Sequence, residues 1–120
     1  MKVAITAMGA GLDAQVDPRF GRAKCFVVVD TETGEATDVD NAQNLNAVQG
    51  AGVQAGSNVA GLGVTDVITG HVGPKAFRTL QAGGIRIHVG ATGSVREALD
   101  QFQAGKLQQA AGADVESHWV

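Results

Sequence analysis

The chain has 120 residues, 44% of them hydrophobic and 18% charged, enough apolar mass for one core but not for a second domain of ordinary size. A net charge of -3 excludes general nucleic-acid binding, which rests on a basic field, and no apolar run approaches the roughly 18 residues that cross a bilayer. The single cysteine, Cys25, excludes an internal disulfide and any all-cysteine metal or iron–sulfur site.

The opening run Lys2–Met8 reads as a central strand, because nearly every position is apolar or small, as a strand covered on both faces requires. It lacks the apolar length of a signal-peptide core, so a cytoplasmic location is expected. Gly9 and Gly11 end it, and a loop continues to Ala23. Lys24–Asp30 is a second β-rich run and Glu35–Asp40 a short polar third, joined by the turn residues Thr31–Gly34. The pair predicts a hairpin with the third strand at an edge. From Ala47 to Ala60, Val48, Ala51, Ala55 and Val59 recur at helical spacing, against the low helix preference of Gly50, Gly52 and Gly56.

Thr65–Thr69 follows as a short strand, and Pro74–Ala82 as a helix with proline at its first position, stopped by Gly83 and Gly84. Ile85–Val89 alternates as a fifth strand, which places His88 on a solvent face. Ser94–Gln103 is an amphipathic helix whose Ser94 and Glu97 form a capping box and which closes at Gly105. Leu107–Val120 has weak periodicity and is expected to be a loosely ordered tail behind a domain of residues 1–106. These elements predict an α/β domain with a mixed five-stranded sheet of order 3-2-1-4-5, strand 2 antiparallel, flanked by helices. That strand order is the ribonuclease H-like one.

Ligands of such sheets bind outside the strand C-terminal ends. Three glycine-bearing segments converge there: Met8–Gly11, Gly50–Gly52 and Gly70–Lys75. The loop Asp17–Ala23 adds two guanidinium groups, Arg19 and Arg22. Arginine is planar and permanently charged, so it suits multi-oxygen or multi-sulfur anions. Glycine N–H groups and two helix starts would add to the same field.

Other chemistries lack their residues. Gly50–Ala55 matches G-x-G-x-x-A, but no convincing strand precedes it, and no G-x-x-x-x-G-K-[ST] run exists. The first strand carries no carboxylate for a two-metal nuclease, and Asp30, Asp66 and Asp100 are scattered as turn, strand-start and helix-surface residues. No G-x-S-x-G run is present, and Cys25 sits in an apolar strand as a small core residue. Catalysis is therefore not expected. His71, in the glycine turn beside Lys75, could donate to an anion or ligate a soft metal. Met8 offers a thioether near the crevice, although core packing is the leading expectation for it. His118 and Trp119 in the tail have no assigned role.

Phe20-Gly21-Arg22-Ala23 followed by Phe26, the Asn41 and Asn44 region before Gly50-Ala51-Gly52, the turn Gly70–Gly73 with Pro74, Ala76 and Leu80, and Gly84-Ile85 together resemble the dinitrogenase iron-molybdenum cofactor biosynthesis family. The likeness runs to about Gly105 and rests on the order and spacing of these motifs. It implies a ribonuclease H-like fold without nuclease carboxylates, in proteins that bind or carry preformed metal–sulfur clusters. Within the family the chain resembles the small stand-alone members that hold a molybdenum–copper sulfide cluster noncovalently; the alternative cargo is the nitrogenase iron-molybdenum cofactor or its precursor. ATPase partner proteins are implied by the same resemblance.

Residue by residue, Phe20, Gly21 and Arg22 match one family turn, and Gly70, Gly73 and Pro74 the other. Arg19 stands where the family often has His, which turns that position from metal ligation towards ionic capture. Lys75 and His71 follow as neighbours of matching positions.

Overall fold

A computed structural model describes residues 1–41 and 50–114. β1 (Lys2–Ala7) is central, with β2 (Cys25–Asp30) antiparallel beside it and β3 (Ala36–Asp40) antiparallel beyond that. On its other side lie β4 (Asp66–Ile68) and β5 (Arg86–Val89), both parallel to β1 in direction. The expected order 3-2-1-4-5 is present, and a sixth strand, β6 (Gln108–Gln109), extends it antiparallel to β5. β6 lies in the stretch expected to be a loose tail. Two glutamines carry no hydrophobic pattern, so the pairing rests on main-chain bonds, including Ala110 N–H to the Ile87 carbonyl at 2.8 Å.

Among the described residues three helices cover the sheet: α1 (Ala51–Ala60), α2 (Pro74–Ala82) and α3 (Val95–Gln103). α2 has the bounds expected from sequence. The expected start of the first helix at Ala47 lies outside the described residues, as do Asn44, His118 and Trp119. In α3 the capping box is present: the Ser94 hydroxyl accepts from Glu97 N–H at 3.1 Å and the Glu97 carboxylate from Ser94 N–H at 3.0 Å.

Both faces of the sheet are buried, which is why β1 reads as almost continuously apolar. On one face Ala4, Phe20, Phe26, Val67 and Ile87 pack with Ala55, Val59, Ala76 and Leu80 of α1 and α2. On the other Val3, Ile5, Val27 and Ile68 pack with Val95 and Ala98 of α3. Two expectations are corrected here. His88 is buried, because the second face is covered by α3: its ring meets Phe102 edge-on at 4.7 Å, and Nε2 lies 2.7 Å from Asp66. Met8 is not a core residue. β1 ends at Ala7, and beyond it no layer covers the side chain, which is 51% exposed.

Asp66 starts β4, as expected, and is fully enclosed there. Its carboxylate accepts from Arg86 Nε and Nη2, each at 3.0 Å, from the Thr65 hydroxyl at 2.7 Å, and from His88. Burial pushes its pKa up, but the hydrogen bonds from Arg86, Thr65 and His88, with the Arg86 charge, outweigh it and hold the value below the ordinary one. An ionised carboxylate only accepts, so His88 carries its proton on Nε2. The cluster ties β4 to β5 at the N-terminal end of the parallel strands.

Candidate functional site

At the other end of the strands the chain is organised around the loop Asp17–Ala23. Four groups clamp it from different directions. From below, the Thr6 hydroxyl at the end of β1 donates to the Asp17 carbonyl at 2.6 Å and lies 2.9 Å from the Thr69 hydroxyl beyond β4. Both threonines are completely buried, so their hydroxyls satisfy one another and the loop instead of water. From the β4 side, His71 N–H donates to the Pro18 carbonyl at 2.8 Å. From the hairpin side, buried Asn41 Nδ2 donates to the Gly21 and Ala23 carbonyls at 3.2 and 2.7 Å. The fourth clamp is Phe20, fully buried with its ring 5.6 Å from that of Phe26.

Two of the predicted glycines serve close approach. A Cβ on Gly21 would stand 2.8 Å from the Gly52 nitrogen at the start of α1, and one on Gly70 would stand 2.7 Å from the Pro18 Cα. Both obstacles are backbone and cannot swing away. The loop is therefore wedged between the first turn of α1 and the Gly70 turn, and Arg19 pairs with His71 as an isolated bridge.

This wedging brings Arg19, Phe20, Gly21, Arg22, Gly52, Gly70 and His71 into one neighbourhood. Gly50 is the N-cap of α1 in a left-handed conformation, φ 80°, and Gly73 the buried N-cap of α2. Neither helix start has a side-chain cap among the described residues, in contrast to α3. Lys75 is exposed in the first turn of α2.

The charges differ in setting. Arg19 donates from its backbone N–H to buried Asp17 Oδ1 at 2.9 Å and approaches the same oxygen with Nε at 3.4 Å, so Asp17 offsets part of its charge. Arg22 is half-buried. His71 Nδ1 lies 2.9 Å from Asp114 Oδ2. Cys25 is buried, with Sγ 2.9 Å from the Gly9 carbonyl oxygen; burial and the Asp38 carboxylate push its pKa up, so it remains a thiol. Among the described residues no group of three or more His, Cys, Asp or Glu side chains could hold a metal ion.

Sequence reasoning missed the roles of Thr6, Thr69 and Asp17 in holding this loop, and that of Asp114, which bonds the Gly70–Gly73 turn. Thr6 and Thr69 were visible only as hydroxyls at the ends of two apolar strands. Asp114 lies 43 residues from His71, beyond the range of any local pattern. Asn41 belonged to a quoted motif without an assigned role.

The sheet order, its two helical layers and the clamped loop at the parallel-strand ends define a ribonuclease H-like α/β domain. The chain belongs to the dinitrogenase iron-molybdenum cofactor family, whose model matches residues 1–105, in agreement with the likeness read from its motifs. It is similar to the apo form of the orange protein of Desulfovibrio gigas, with 46% identity, 95% of this chain and 96% of that chain covered, and a TM-score of 0.91. A Thermotoga protein solved by NMR is 35% identical over 90% of this chain and 91% of that one, with a TM-score of 0.79. An uncharacterized protein of Methanocaldococcus jannaschii is 30% identical over 112 residues, 91% of this chain and 95% of its own length.

Proposed function

We propose that the crevice beside the Asp17–Ala23 loop holds a molybdenum–copper sulfide cluster as noncovalent cargo, for storage or assembly in the cytoplasm, without catalytic turnover. The observation that carries this reading is the clamping of the loop. Its backbone is fixed by buried hydroxyl, amide and aromatic groups, so Arg19 and Arg22 are displayed beside two helix starts at little ordering cost on binding. A cluster built from tetrathiomolybdate units is a polyanion with sulfur acceptors on its exterior. Guanidinium, ammonium and imidazole donors from Arg19, Arg22, Lys75 and His71, with N–H groups around Gly50–Gly52 and Gly70–Gly73, suit that exterior. The similarity to the orange protein supports the choice of cargo.

The donor set fits a cluster better than a bare ion, since the described residues offer no three-ligand group. Exposed Met8, the residue after β1, is a candidate thioether contact for copper. The family match supports a second cargo, the iron-molybdenum cofactor or its precursor, with ATPase partner proteins in delivery.

Reconstitution with tetrathiomolybdate and copper is expected to give an intense visible charge-transfer band and to retain both metals through desalting. Arg22→Ala should lower retention about tenfold or more, the scale of a charge-assisted hydrogen bond, with an unchanged circular dichroism spectrum. Equal retention in the variant rejects the site. Iron in protein purified without added metal would select the second cargo.

A further inference from the structure

The Gly70–Gly73 turn already holds an anion, and that anion belongs to the chain. Asp114 Oδ1 accepts from the Val72 N–H at 2.7 Å, Oδ2 lies 2.9 Å from His71 Nδ1, and Asp114 N–H donates to the Val72 carbonyl at 3.1 Å. The carboxylate thus sits across a backbone donor and an imidazole, an arrangement that suits any oxygen- or sulfur-bearing anion of similar reach. Val72 is wholly buried, whereas Asp114 and His71 are partly open, with 32% and 45% of their side chains exposed. The Val72 donor is held by the fold, and the acceptor arrives on a surface segment beyond β6.

We infer that the Val72 N–H and the His71 ring form an anion seat in the crevice, and that Asp114 is its built-in occupant, displaced when an anionic ligand enters. The inference rests on the crevice reading above and names the contact that cargo must break. Two features separate the seat from an ordinary surface ion pair. The same residue makes a reciprocal pair of bonds with Val72, through side chain and main chain, which fixes the carboxylate over the turn. The backbone of the turn is tied down, because His71 N–H is bonded to Pro18 and the Gly70 carbonyl accepts from Gly90 N–H at 3.0 Å. A ligand therefore meets a backbone donor held by the fold, a half-open imidazole beside it and a replaceable acceptor. A protein whose seat is mostly filled by its own carboxylate binds weaker by the fraction of time the seat stands open.

The test is a titration of the wild type, Asp114→Asn and Asp114→Ala with tetrathiomolybdate alone, followed by the amide resonance of Val72 and the ring resonances of His71. Asp114→Asn keeps an oxygen acceptor and removes the charge, whereas Asp114→Ala empties the seat. Both should respond at lower ligand concentration than the wild type, Asp114→Ala by about tenfold for a seat filled nine-tenths of the time. Equal midpoints in all three proteins, or a Val72 resonance that stays still in Asp114→Ala while other crevice amides move, overturns the seat. Cluster retention sensitive to Arg22→Ala but unaltered by Asp114→Ala would leave the crevice reading standing without the seat. A Val72 response in Asp114→Ala from a protein that retains no copper–molybdenum cluster would do the reverse.

Discussion

Asp66 shows how one buried charge organises the end of the sheet away from the proposed site. Four hydrogen bonds satisfy a carboxylate that is only 1% exposed, and its lowered pKa makes the cluster a source of pH-dependent stability. Its contribution is complete above the ordinary aspartate value of about 3.9. It disappears as pH falls through the lowered folded-state value, because only the folded protein favours the ionised form. Asp66→Asn should cost about 2 kcal/mol at neutral pH, less than a fully buried pair because the Arg86 side chain is half open to water. Urea unfolding at neutral pH and near pH 3 checks the sign: the wild type should lose more stability on acidification than the variant. Alternation along β5 put His88 outside, since alternation reports only that two faces differ. It cannot report that a helix from later in the chain covers the second face as well.

At the scale of elements, the Arg-bearing loop depends on two backbone approaches. Gly21→Ala would drive a methyl group into the first turn of α1, at an expected cost of about 1–3 kcal/mol for overpacking. It should weaken cluster retention beyond that loss, because lifting the loop moves both arginines. Thermal unfolding combined with metal retention measures both effects, and a variant destabilised but fully able to retain cargo would detach the loop from binding. The elements themselves were largely legible in the sequence. Pro74 and the double glycine after Ala82 set the bounds of α2, and Ser94 with Glu97 set the start of α3. What was not legible were pairings without a pattern: the two glutamines of β6, and the clamps from Thr6, Thr69 and Asn41, which depend on strand ends meeting in space. The arginine loop and its glycine neighbours could be picked out, since charge and glycine in a short loop are local signals. Which glycines served packing required coordinates.

Over the whole molecule a net charge of -3 is set against the cationic lip proposed for Arg19, Arg22 and Lys75 at one sheet end. Attraction of a polyanion to that lip acts over a Debye length of about 10 Å at 0.1 M salt and about 3 Å at 1 M. Capture of tetrathiomolybdate should therefore weaken several-fold as salt rises across that range, most visibly in the association rate. A salt-independent rate would point to uptake governed by neutral contacts. The sheet separates this end from the Asp66 cluster by the length of β1, roughly 20 Å for six strand residues.

The first residue lies at the quiet end of that length. The Met1 carbonyl accepts from Thr31 N–H at 2.9 Å, and the Met1 amino group stands 3.6 Å from the Glu32 carboxylate. An optical probe or surface linker coupled at this end, through the exposed Lys2, would sit a sheet's length from the proposed site and leave it unobstructed. The same attachment made near Asp114 would stand over the proposed seat, so the choice of coupling point is expected to decide whether immobilised protein can exchange a bound cluster.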